Sequence, residues 1–565
     1  MERLNDILVN LLKTDSRYFT DEGELLKNAV YEDAMKMETS LIKILLSDDT
    51  CKARFFTEVD GVLVFDKVGF GWVINNRQFL PDSYTRFKNK IGLTDSNGDF
   101  ISSSNDVVLS FPYKDCILEG GQSKEDQKRE EIFYNETLAP EEVDRLLYPK
   151  VFTGAKRYTK DGVEENITFN ENDNLIIKGN NLLAIASLLK SYEGKVRLIY
   201  IDPPYNTGND SFSYNDKFNH SAWLTFMKNR LEIAKRLLAD DGSIYIQLDY
   251  NEVHYFKVLM DEIFGMDCFQ REIIWDTQVL SGYKTMVENW IRGHDSILFY
   301  TKNPNGFLFN KQKMSHRKEY LDRFDKIDEN GRRYFDGRGK IRYLDEAIAN
   351  GKPVGDVWYD IMSFQQIPTA KERVAFSTQK PEALLRRIIQ ASTNDGDIVL
   401  DFFAGSGTTG AVAHKLNRKY IMCEQLDSQY SIQIERMSSV IKGADPGSLA
   451  TEINWHGGGS FVYCELAKLN KNFVEAIQSA ANDEQLASVW AEMRESGFIS
   501  SYVSPQEIDP NADDFKALSF DDKKRLFLAL LDKNMLYVNY CDIDDETYDI
   551  SEADKAFTNS FYKES

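Results

Sequence analysis

The chain has 565 residues and a formal net charge of −22 at neutral pH, so it holds several domains with ample core, and it cannot coat nucleic acid through a uniformly basic surface. Six cysteines stand singly (Cys51, Cys116, Cys268, Cys423, Cys464, Cys541) beside six histidines, without the spacing of a disulfide framework or a zinc site, so no metal is expected. No apolar run reaches the length of a membrane span and the first residues lack a signal-peptide core, so a soluble, cytoplasmic protein without membrane contact is expected.

Residues 1–100 begin with apolar residues at helical spacing (Leu4, Ile7, Leu8, Leu11, Leu12), then a second helical pattern and strand-like runs at 61–65 and 70–75. They suggest an N-terminal domain to which no chemistry is assigned. Residues 101–174 are charged and turn-rich and are expected to form a segment connecting it to the next domain.

From 175 to 260 the pattern alternates between apolar strands and helices, as in an open α/β sheet. Leu175–Lys178 leads into a helix, and Arg197–Ile201 is a buried strand that stops at Asp202-Pro203-Pro204-Tyr205. Two prolines cannot extend a ladder, and they stiffen the turn at the strand's carboxyl end, where ligands of such sheets bind. The turn offers a carboxylate, a proline-flanked carbonyl and an aromatic face. Those groups suit an exocyclic amine on a flat ring: two acceptors for its hydrogens and a platform for stacking. A long helix is expected over 223–238, then a strand over 242–249 ending in an exposed Asp249.

Residues 261–370 break this rhythm. Between Lys311 and Arg342 there are 11 basic and 6 acidic side chains, and Arg332, Arg333, Arg338, Lys340 and Arg342 are interleaved with tyrosines, Phe335 and glycines. A basic patch on an acidic body can bind a polyanion such as DNA locally, so these five are the candidate DNA contacts, within a segment inserted between the two strand–helix stretches.

The strand–helix alternation resumes over 371–445. Asp397–Asp401 is a buried-strand pattern, followed by Phe402, Phe403, Ala404, Gly405, Ser406, Gly407, Thr408, Thr409 and Gly410, then a helical run. Such a turn lets a cofactor approach the backbone at a helix N-terminus. It lacks the Gly-Lys-Ser/Thr of a phosphate loop, and its glycines do not match the dinucleotide spacing. A further strand, 419–424, ends in Glu424, positioned for ribose hydroxyls. Beyond the Gly457–Gly459 boundary lie a strand at 461–466 and a largely helical, acidic tail, all within a C-terminal domain, 446–565.

These motifs resemble the adenine-N6-specific DNA methyltransferases of the β class, in which Asp-Pro-Pro-Tyr precedes an F-x-G-x-G loop (here Phe403–Gly407). The segment Ser377–Leu385, with Lys380 and Pro381, is similar to the one that precedes that loop. More narrowly the chain resembles the modification (Mod) subunits of type III restriction–modification systems, through 111–120, 129–135, 178–183 and 358–361. The resemblance implies an α/β fold: a Rossmann-like mixed sheet with circularly permuted motif order, an inserted target-recognition domain, and helical N- and C-terminal segments. It implies S-adenosylmethionine as cofactor, held by Asp401, Phe402, Phe403, Ala404, Gly405, Ser406, Gly407, Glu424, Lys380, Pro381 and Asn181. It implies that Asp202 and Pro203 accept the amine hydrogens of a flipped-out adenine, with Pro204 and Tyr205 completing the catalytic turn. It further implies double-stranded DNA as substrate, a homodimer, and a helicase–nuclease (Res) subunit as partner. Many relatives carry Asp where this chain has Asn180. A solitary adenine methyltransferase, an N4-cytosine methyltransferase and a non-catalytic DNA-binding scaffold are the alternatives.

Overall fold

The computed structural model describes residues 4–20, 23, 25–59, 61–75, 116–119, 132–135, 145–208, 218–277, 286, 288–337, 339–499 and 512–563. The chain forms two compact units, residues 1–93 with 99–106, and residues 94–98 with 107–565.

The first unit contains helices Leu4–Leu12, Lys27–Met35, Thr39–Leu46, Asp49–Phe55 and Lys67–Asn75, with a hairpin of Phe56–Val59 against Val62–Phe65. Asp48 caps one helix by accepting the Cys51 N–H at 2.9 Å. The run at 70–75, expected as a strand, is helical. Phe70 and Ile74 lie one turn apart and are both buried, and burial of that face overrides the β preference of the local sequence.

The second unit is built on one 11-stranded sheet. Its strands, in chain order, are β1 (Phe152–Tyr158), β2 (Val163–Glu164), β3 (Leu175–Lys178), β4 (Val196–Ile201), β5 (Leu238–Leu248), β6 (Phe269–Asp276), β7 (His294–Thr301), β8 (Val357–Trp358), β9 (Ile398–Asp401), β10 (Lys419–Glu424) and β11 (Phe461–Leu466). They lie in the order β8-β6-β7-β5-β4-β9-β10-β3-β11-β1-β2. Strands β5 through β11 in that order are parallel. Strand β7 runs antiparallel to both β5 and β6, and β1 runs antiparallel to β11. The sheet is covered on both faces, so its central strands are apolar throughout. Alternate residues of β4 serve opposite layers. Ile199 and Ile201 pack with Trp223, Leu231 and Phe256, whereas Leu198 and Tyr200 pack with Leu384, Ile388 and Val412.

Three boundaries differ from the sequence expectation. The insertion expected over 261–370 is narrower, because β6 and β7 form a hairpin whose second strand pairs with β5, and β8 pairs with β6. The segments that leave the sheet lie between β7 and β8 and include the three-stranded sheet Lys326–Ile327, Arg333–Gly337 and Lys340–Tyr343. The connector expected over 101–174 supplies β1 and β2. The C-terminal region supplies β11 and helix Glu552–Tyr562, whose Phe557, Phe561 and Tyr562 enter the main core.

Strands β4 and β9 are neighbours, with Val399 opposite Leu198 and Leu400 opposite Ile199. The carboxyl ends of these strands, some 200 residues apart in sequence, therefore meet. The chain passes from β4 to β5 on one side and from β9 to β10 on the other. This is the crevice at which α/β sheets bind ligands.

Candidate active site

The turn after β4 is held by its surroundings. Pro203 and Pro204 are buried, and the Trp223 indole donates to the Pro204 carbonyl at 2.9 Å. The Asp202 carboxylate faces the Lys380 ammonium through Oδ2, while Oδ1 is buried with no hydrogen-bond partner among the described residues. Burial raises the Asp202 carboxyl above its ordinary value, and the facing Lys380 opposes that rise. The Tyr205 hydroxyl donates to Asp295 Oδ2 at 3.2 Å, and Lys380 Nζ lies 5.3 Å from its ring centre.

The loop after β9 bends because Gly405 (φ +48°) and Gly407 (φ +74°) are left-handed. A Cβ at Gly405 would stand 3.3 Å from the Phe376 ring. The Gly405 N–H donates to Glu424 Oε2 at 3.0 Å, and Gln433 Nε2 donates to the Gly405 carbonyl at 2.8 Å. Glu424 Oε1 accepts the N–H groups of Gln425 and Leu426 at 2.8 and 3.0 Å. Asp401 accepts the Phe403 N–H at 3.0 Å and the Thr409 hydroxyl at 2.5 Å. Burial pushes both carboxyls up, Asp401 to about 7 and Glu424 to about 7.

One cavity of about 980 Å³ is lined by Asp202, Pro203, Pro204, Tyr205, Lys380, Phe403, Gly405 and Glu424 together. Ala404, Ser406 and Asp401 line a narrow recess beside it, which also touches Asp202 and Lys380. A cavity of this size holds a nucleoside cofactor and a base side by side. The orphaned Asp202 oxygen, the backbone approach at Gly405 and the Glu424 carboxylate fit such ligands.

Other expected residues stand behind the cavity. Asn181 does not line it. Its Nδ2 donates to the Phe402 carbonyl at 2.9 Å and its Oδ1 accepts from Arg230 at 2.8 Å, so both ends of the amide brace the loop from below. Phe402 is fully buried in the core, Gly407 caps helix Thr408–Lys415, and Pro381 caps helix Glu382–Ser392. Asn180 caps helix Asn181–Tyr192 by accepting the Leu182 and Leu183 N–H groups.

The basic cluster is only partly free to meet a ligand. Arg332 is paired with Asp345 and Glu346, at 2.8 and 2.9 Å, and stacks on Tyr343, so its charge is engaged locally in the free chain. Arg333 donates to the Phe324 carbonyl at 2.9 Å. Lys340 and Arg342 are exposed, and Arg338 lies outside the described residues.

The sequence did not single out Arg292, Asp295 and Gln247. Arg292 is paired with Asp295 and, at 3.2 Å, with Asp249, and Gln247 donates to Asp295 at 2.9 Å. Asp249, expected to be exposed, is 2% exposed because it receives Arg292. The available signal was polar residues at the cavity ends of the otherwise apolar strands β5 and β7.

The DNA methylase family matches residues 196–435, and the family of type III restriction/modification enzyme methylation subunits matches residues 38–93. The protein of Haemophilus influenzae named probable type III restriction-modification enzyme HindVI Mod subunit is 33% identical over 731 aligned positions, covering 98% of each chain. The chain belongs to the type III Mod subunits. The EcoP15I Mod subunit of Escherichia coli is 35% identical over 26% of this chain and 27% of its own length. The DNA adenine methyltransferase YhdJ of Escherichia coli is 30% identical over 44% of this chain and 77% of its own. As a Mod subunit, the chain is an S-adenosylmethionine-dependent adenine DNA methyltransferase of a restriction–modification system.

Proposed function

We propose that the cavity at the ends of β4 and β9 receives an adenine extruded from double-stranded DNA and methylates its N6 amine through Asp202, Pro203 and Tyr205. The observation that carries this reading is the buried Asp202 Oδ1, which lacks a donor among the described residues and lies in the same cavity as the glycine loop. Adenine N6 is a weak nucleophile because its lone pair is delocalised into the ring. Accepting its two hydrogens at Asp202 Oδ1 and the Pro203 carbonyl favours a pyramidal nitrogen and localises that pair. Tyr205 supplies a stacking face, a contact worth about 1–3 kcal/mol per base. Lys380 holds the other Asp202 oxygen and fixes the carboxylate plane. S-adenosylmethionine, when bound, supplies an electrophilic methyl group on sulfur. Glu424 would hold the ribose hydroxyls, and Phe403 and Gly405 the adjoining face. The proton that the amine would lose on methylation would have Asp202 Oδ1 as an acceptor within the cavity, and the raised Asp202 carboxyl suits that role.

By its membership of the Mod family we infer a cytoplasmic homodimer that methylates without ATP, with cleavage requiring a separate Res subunit. No described helix is long and apolar enough to cross a membrane. The test is to digest DNA methylated by the purified chain and identify the modified nucleoside. N6-methyladenine is expected, and N4-methylcytosine alone would overturn the reading.

A further inference from the structure

Trp290 is 96% exposed yet lines the same cavity as Asp202 and Tyr205. A side chain that does both stands at the mouth. A fully exposed indole presents its apolar faces to water, and no packing among the described residues accounts for it. The segment that carries Trp290 joins β6 to β7. Strand β7 runs antiparallel to β5, so this hairpin ends at the catalytic edge of the sheet. The base of the segment is pinned. The Thr277 N–H and hydroxyl both donate to the Gly293 carbonyl, at 2.7 and 2.9 Å, and Ser363 donates to the Thr277 carbonyl at 3.2 Å. Two residues after Trp290, Arg292 is anchored inside by Asp249 and Asp295. Tyr250, 65% exposed, also lines the mouth. Tyr205 lies deeper, its hydroxyl on Asp295.

We propose that Trp290 enters the duplex at the target position and stacks in the gap left by the extruded adenine. This rests on the proposed extrusion of the base into the cavity. A base in the cavity occupies Tyr205 and Asp202, so Trp290 remains outside, level with the helix from which the base came. Extrusion breaks two stacking contacts and one base pair. An indole inserted between the neighbouring pairs replaces the stacking and delays the return of the base. Trp290 is thus a positioning residue: it touches the DNA around the reacting base and does not touch the amine.

The full chain is assayed on two duplexes that carry its methylation site. In one the target adenine faces thymine, and in the other it faces an abasic position, which leaves it unpaired. Trp290→Ala should lower kcat/KM on the paired duplex by roughly tenfold or more, as expected when one stacked base loses its partner. On the unpaired duplex it should act within about threefold of wild type, because extrusion there costs little. Trp290→Phe should keep most of the activity on both duplexes, and S-adenosylmethionine affinity should be unchanged in both variants. Trp290→Ala with wild-type activity on the paired duplex, or with equal loss on both, overturns the proposal. A wild-type chain that methylates neither adenine would instead overturn the extrusion reading itself.

Discussion

At the level of single residues, the site depends on carboxylates that burial has shifted. Glu424, raised to about 7, holds its proton in most molecules at pH 6 and has lost it in most at pH 8. Ribose hydroxyls donate hydrogen bonds and favour the ionised form, so cofactor affinity should rise as pH increases through 7. Titration calorimetry across that range should show the rise. Glu424→Ala should abolish the rise attributable to this group and weaken binding by about 1.5–3 kcal/mol, the worth of a charge-assisted hydrogen bond. Unchanged affinity in Glu424→Ala would remove this residue from the cofactor site. Much of this scale was legible in the sequence, because Asp202, Tyr205 and Gly405 sit in turns, and Glu424 at a strand end, whose chemistry is local. Arg292 and Asp295 were not, since their partners Asp249, Gln247 and Tyr205 are distant in sequence and meet only across paired strands.

Among the elements, strand identity was readable where apolar runs ended in a distinctive turn, as in β4 and β9. It failed where pairing decides. Strands β6 and β7 read as part of an insertion because their separation hides an antiparallel hairpin. Apolar residues near the C-terminus, including Leu530, Leu531 and Met535, are buried within the chain, as is Leu8 in the first unit, so none of them is free to form a contact with a second copy. Charge on an element is likewise set by neighbours. Arg332 is engaged by Asp345 and Glu346, whereas Lys340 and Arg342 on the adjoining strand are exposed. Replacing Lys340 and Arg342 together by Ala should flatten the plot of log affinity for DNA against log salt by about 0.9 for each phosphate no longer neutralised. Arg332→Ala should leave that slope nearly unchanged. A slope that follows Arg332 and ignores the other two would relocate the DNA contact.

For the whole molecule, a net charge of −22 is compatible with acting on DNA when the phosphate-contacting groups are clustered and the remaining acidic surface limits nonspecific adhesion. The homodimer proposed above is open to a direct test. Light scattering should then give twice the 65.0 kDa chain mass under conditions where methylation proceeds, and an active monomer would refute the dimer. The central claim concerns Asp202, the half-buried carboxylate at the end of β4 that faces the glycine loop after β9 across one cavity. The most direct measurement is S-adenosylmethionine binding and methyl transfer on one preparation of Asp202→Ala. Cofactor affinity within roughly tenfold of wild type and no detectable transfer are expected, as for a group that acts on the amine in the transition state. Near-normal turnover by Asp202→Ala would contradict the assignment.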